Sequence, residues 1–150
     1  MLQHGDPRDE PIIMTQHGGI NDRAQVGFAD SATYDQHRPA YTPAATQILL
    51  EQVRVAGKPH ATILDLAAGT GKFTEGLVAR AERFEIVAVE PHDGMREVLS
   101  RKALDGVVVE AGTAERIPLA DGSVDAVIAA QVGLIIQALL KCPFFLDRLV

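Results

Sequence analysis

The chain has 150 residues, 47% of them hydrophobic and 23% charged, which is material for one globular domain with a filled core. With 20 acidic against 14 basic residues the formal net charge is -6, and no basic run appears, which excludes a general nucleic-acid binder that works by displacing counterions. The single cysteine, Cys142, excludes an intramolecular disulfide and a cysteine-based zinc site, and it fits a reducing, cytoplasmic setting.

Residues 1–27 hold Gly5, Pro7, Pro11, Gly18, Gly19 and Gly27 without helical or strand periodicity, and they read as a disordered tail. They lack the cationic and apolar regions of a secretory signal. An ordered domain is expected over residues 28–131. Its first clear helix has Thr42 as cap, Pro43 in the first turn and Gly57 past the end, with Ile48, Leu49, Gln52 and Val53 as the stripe. A repeating strand–helix pattern follows. Strands are expected at 62–66, 85–90, 107–111 and 124–130. Phe73, Leu77, Val78 and Ala81 mark one helix between them, and Met95, Val98 and Leu99 mark another. Continuous apolar strands alternating with helices predict a parallel sheet buried on both faces. Residues 132–150 differ from the rest. Val132, Ile135, Ile136, Leu139 and Leu140 form a helical stripe, Pro143 stops it, and a greasy end follows. A membrane span needs about 20 mostly apolar residues. Gln131, Gln137 and Lys141 interrupt this stretch, so no span is expected.

The chemistry concentrates at Ile63-Leu64-Asp65-Leu66-Ala67-Ala68-Gly69-Thr70-Gly71-Lys72-Phe73-Thr74, a strand, a glycine turn and a helix start. Gly69 and Gly71 allow the backbone close to a ligand. Asp65 can accept from a cationic ligand end or hold the loop. Glu90 ends the next strand, where an acid can accept both hydroxyls of a ribose. Loop and acid together indicate an adenosine-bearing ligand across the carboxyl ends of the strands. A dinucleotide fingerprint wants a third glycine where Thr74 stands, so the nicotinamide match is poor. Lys72, His4, His17, His37 and His60 show no metal-ligand spacing and read as solvent-facing; no metal site is expected.

The segment from Asp65 to Gly71 resembles the first motif of class I S-adenosylmethionine-dependent methyltransferases. Val89-Glu90-Pro91 resembles their second-strand motif, the stretch from Gly112 to Leu119 their loop after strand three, and Ser123-Val124-Asp125-Ala126-Val127 the start of their fourth strand. Upstream, the stretch from Tyr34 to Tyr41 is similar to the entry segment of small-molecule and quinone-type members. The resemblance implies a Rossmann-like α/β three-layer sandwich. It implies that Asp65, Ala67, Gly69 and Gly71 cradle the methionine part of the cofactor and that Glu90 holds the ribose. His92 and Met95 border the adenine, Ala114 and Glu115 contact its edges, Gln131 lies near the reacting methyl, and Tyr34 and Arg38 cover the cofactor. Ala67 departs from the family by replacing a glycine. Residues 132–150 resemble nothing in the family, so the chain reads as shortened after the fourth strand. That leaves four of seven strands, in the order 3-2-1-4, with an N-terminal helix and a C-terminal apolar helix.

The expected function is methyl transfer from S-adenosylmethionine to a small-molecule acceptor, weakened by the shortening, with no catalytic residue assignable. A non-catalytic cofactor-binding or interaction module remains open beside it, as does a nicotinamide-dependent oxidoreductase fragment. Self-association through the fourth strand and the C-terminal helix is the expected partner interaction.

Overall fold

The structure, a computed structural model, describes residues 31–37 and 40–130. The expected tail over 1–27 and the apolar helix after residue 131 lie outside the described residues. Helix α1 spans Ser31–His37 and α2 spans Pro43–Gln52. Strand β1 (Thr62–Leu66), helix α3 (Lys72–Val78) and strand β2 (Glu85–Val89) follow. Helix α4 (Asp93–Arg101) leads to β3 (Val107–Glu110) and then β4 (Ala126–Ile128).

The four strands form one parallel sheet in the order β3-β2-β1-β4, as expected from the sequence. Ile63 pairs with Ile86 on one side and with Ala126 on the other, which puts β1 at the centre. Alternate residues of β1 feed opposite faces. Ile63 joins Leu50, Val55, Phe73, Leu77, Ile86 and Ile128 in one core, while Leu64 and Leu66 join Val89 and Val124 in the other. The second core is covered by Ala114, Ile117 and Leu119 of the chain between β3 and β4. Burying each β1 side chain of this size contributes about 1.5–3 kcal/mol. Asp125 sets the entry to β4: its amide donates to Thr62 O, and its carboxylate accepts from Thr62 N, both at 2.8 Å.

Several sequence expectations need correction. Helix α2 ends at Gln52, not before Gly57. Arg54 takes the left-handed conformation (φ 60) there, and Gly57 forms a later turn whose amide reaches Glu82 Oε1 at 3.1 Å. The buried face of α2 is Thr46 and Leu50, whereas Ile48 is 55% exposed. The α2 cap is as expected, with Thr42 Oγ1 accepting from Ala45 N. β3, the sheet edge, is half-buried on one face, where Val107 packs on the first core, and exposed on the other, where Val108 points outward. β4 is three residues long rather than the seven of 124–130. Among the described residues no helix is long and apolar enough to cross a membrane.

Candidate functional site

The turn from β1 into α3 takes the left-handed region three times in five residues, at Ala67 (φ 57), Gly69 (φ 60) and Gly71 (φ 87). Glycine is needed at 71 for a second reason. A Cβ there would stand 2.2 Å from Leu99 Cδ1, so the buried Leu99 side chain of α4 would have to shift. Ala68 N donates to Val89 O at 3.2 Å and Gly71 N to Ala68 O at 3.0 Å, tying the loop to β2 and to itself.

Two carboxylates lie beneath this loop. Glu90, 5% exposed, accepts from Gly69 N at Oε2 and from His92 N at Oε1, both at 2.8 Å. It therefore spans the glycine loop and the start of α4, where His92 is the cap and accepts from Met95 N at 3.2 Å. Burial pushes the Glu90 carboxyl up, and the two amides pull it partly back. Asp65, 1% exposed, accepts from Thr74 Oγ1 at 2.6 Å. Burial raises its carboxyl to about 7, the Thr74 hydroxyl opposes this, and the nearby Glu90 charge adds to it. Two buried acids at the carboxyl ends of adjacent strands mark a candidate site.

Two openings lie at this end of the sheet. Over β2 and β3 lies a cleft of about 410 Å³, lined by Pro91, Asp93, Arg96, Gly112, Ile117 and Pro118. Over β1 and β4 the space narrows to about 10 Å³ among Tyr41, Asp65, Ala67, Thr70, Lys72 and Ala130. Tyr41 packs edge-on against Phe73 there, with ring centres 5.1 Å apart. A larger cleft of about 740 Å³ lies elsewhere, between Pro43 and Thr46 of α2, Gly76 of α3 and the Arg80–Glu82 turn.

Of the residues singled out in the sequence, Asp65, Ala67, Gly69, Gly71 and Glu90 come together around the loop. Ala114 packs on the second core beside Leu64 and Val89, and Glu115 is exposed in the 113–116 turn. Arg38, Gln131 and the Tyr34 side chain lie outside the described residues. Lys72 is not the solvent-facing residue expected. Its side chain is 20% exposed, and its ammonium lies 3.5 Å from Asp35. His37 and His60 are exposed as expected. Sequence reasoning missed Thr74 as the partner of Asp65, although Thr74 stands one helical turn into α3, on the face turned to the strand end. It also missed Arg96, whose guanidinium donates to Glu90 O at 2.9 Å and pairs with Asp93.

A family model described as a methyltransferase domain matches residues 63–142, more than half of the chain. The chain belongs to the methyltransferase-domain family. An uncharacterised methyltransferase of Mycobacterium tuberculosis is 48% identical over 100 residues, covering 65% of this chain and 37% of that protein. A methyltransferase-like protein of Schizosaccharomyces pombe is 40% identical over 102 residues, 68% of this chain and 38% of that one. This methyltransferase domain thus spans less than two-fifths of the length of those curated relatives. Among solved structures, coclaurine N-methyltransferase superposes with a TM-score of 0.52 at 19% identity, over 65% of this chain and 30% of that chain. The methyltransferase complex with the Haloferax volcanii Trm112 activator gives 0.52 at 18% identity, over 73% and 47%. At these identities the likeness is one of fold: the methyltransferase domain has the Rossmann-like α/β architecture expected of it.

Proposed function

We propose that this methyltransferase domain binds S-adenosylmethionine at the loop of residues 67–71 and supports methyl transfer to a small-molecule acceptor. The observation that carries the reading is Glu90, a buried acid that accepts from the Gly69 amide of the glycine loop and from the His92 amide at the start of α4. The chemistry of the lining fits the cofactor's two ends. Ile117 and Pro118 offer an apolar, planar-ligand surface on one side, with Ala114 in the same loop. Asp65 and the loop backbone offer acceptors and donors to an amino-acid end on the other. When bound, S-adenosylmethionine supplies an electrophilic methyl on a sulfonium whose departure leaves a neutral thioether. The protein's task is then mainly positioning, which can contribute roughly 7–11 kcal/mol of barrier lowering.

In this reading Asp65, Ala67, Gly69, Gly71 and Glu90 form the cradle, Ala114 and Glu115 border the adenine, and Tyr34, Arg38 and Gln131 complete the enclosure. Residues 28–131 are the cofactor-binding domain, and 132–150 form a separate apolar segment. The protein works in the cytoplasm and self-associates through β4. Calorimetry with S-adenosylmethionine, S-adenosylhomocysteine and nicotinamide dinucleotides tests the reading. Binding of the first two and not the third supports it; binding of none, or of the dinucleotides alone, overturns it. A methyl-transfer assay across small-molecule acceptors then tests turnover.

A further inference from the structure

Four charged residues meet beside the glycine loop. Asp35 comes from α1, Lys72 and Glu75 from α3, and Lys102 from the end of α4. The two cations are not equivalent. Lys102 Nζ lies 3.0 Å from Asp35 Oδ1 and 3.0 Å from Glu75 Oε1, so it serves both acids at close range. Lys72 Nζ stands farther from the same two acids, at 3.5 Å from Asp35 and 4.0 Å from Glu75. Lys72 also lines the narrow space over β1 together with Asp65, Ala67 and Thr70, which Lys102 does not. Burial raises the Asp35 carboxyl, but the Thr70 hydroxyl, the Lys102 ammonium and, last, the Lys72 charge bring it below the ordinary value.

We propose that Lys72 is a ligand-binding residue whose ammonium holds the carboxylate at the amino-acid end of the cofactor, while Lys102 stays at close range to Asp35 and Glu75 and so keeps Lys72 available. The proposal rests on the cofactor reading above. Among the described residues, it uses the one cation that both lines the space and stands farther from its acids. An ammonium is a point charge on a flexible stem, so it can swing from Asp35 to a second carboxylate without moving the backbone. The exchange leaves Asp35 with a close partner, Lys102, and therefore leaves no buried charge unpaired.

The experiment compares two ligands by calorimetry on the full chain. S-adenosylhomocysteine carries the amino-acid end; 5′-methylthioadenosine keeps the nucleoside and the thioether and lacks it. Lys72→Met is expected to weaken S-adenosylhomocysteine about ten- to a hundredfold, the loss of one charge-assisted hydrogen bond. Methylthioadenosine should stay within about twofold of the parent. Lys72→Arg should recover most of the loss. Lys102→Met supplies a second route that spares the loop: it leaves Lys72 as the cation for both acids and should weaken S-adenosylhomocysteine while sparing methylthioadenosine. Unchanged S-adenosylhomocysteine affinity in Lys72→Met overturns the proposal. Equal loss of both ligands also overturns it, because the effect would then be on the loop and not on a carboxylate. If the parent binds neither ligand, the cofactor reading itself fails and takes the proposal with it.

Discussion

At Ala67 a methyl side chain sits in a backbone conformation (φ 57) that an L-residue enters at a cost of about 1–2 kcal/mol. The sequence showed an alanine in place of the family's glycine but could not show that the backbone keeps the glycine geometry. Ala67→Gly should therefore raise stability by about 1 kcal/mol, after allowing for the greater freedom of glycine in the unfolded chain. Urea denaturation with an unchanged slope and a higher midpoint would bear this out, and a lower midpoint would contradict it. Asp65 makes a different prediction. Its folded carboxyl titrates at about 7 against an ordinary 3.8, so between those values the folded chain holds a proton that the unfolded chain has lost. The stability this group contributes is present at low pH and is lost as pH rises from about 4 to about 7. Asp65→Asn should flatten that decline in thermal melts, and a parent chain that instead gains stability across the interval would refute the assignment. Glu90 was legible as an acid at a strand end. That each of its oxygens holds a backbone amide was not, because amides carry no sequence signal. Glu90→Ala leaves the Gly69 and His92 amides without their acceptor, so a loss of about 2–4 kcal/mol in stability should accompany any loss of cofactor affinity.

At the scale of elements, the strands read well because their apolar runs are continuous, and β1 came out residue for residue. The helix ends read less well. Gly57 was the obvious stop for α2, yet Arg54 takes the left-handed turn earlier, leaving Gly57 to donate to Glu82. Glu82 shows why. Its carboxylate takes two hydrogen bonds from Arg80, at 2.6 and 3.1 Å, while Arg80 also donates to Gln47 of α2 at 2.7 Å. This cluster of residues from three segments fixes the α2–β1 connection against the end of α3, and no local pattern announces it. The Arg80 hydrogen bonds hold the Glu82 carboxyl down at about 2. Glu82→Gln should cost about 1–3 kcal/mol, as expected for weakening charge-assisted bonds in a half-buried setting. A change below about 0.5 kcal/mol in chemical denaturation, the usual range for surface substitutions, would show that solvent screens the cluster completely.

At the scale of the whole molecule, the strand order was legible because parallel β–α units and a recognisable motif order leave little topological choice. The covering of the second face was less so: a helix layer was expected, and among the described residues the non-helical chain through Ala114, Ile117 and Leu119 does the work. Again among the described residues, β4 has a hydrogen-bonded neighbour on one side only, which is β1. An apolar strand in that position seeks a second partner. Sedimentation velocity over a range of concentrations should show reversible self-association; a sharp monomer boundary at every concentration would count against it.

The unequal size of the two openings has a kinetic corollary. The cleft lined by Pro91 and Gly112 has room for a ring system, about 410 Å³, and the space lined by Asp65 and Lys72 has room for little more than a water, about 10 Å³. In the proposed reading a two-ended ligand enters ring first, and its tail then needs the narrow space lined by Tyr41 and Lys72 to widen. Capture should proceed at nearly the same rate constant for ligands with and without the tail, and residence time alone should separate them. On a sensor surface, S-adenosylhomocysteine and methylthioadenosine would rise together and part company only in the wash.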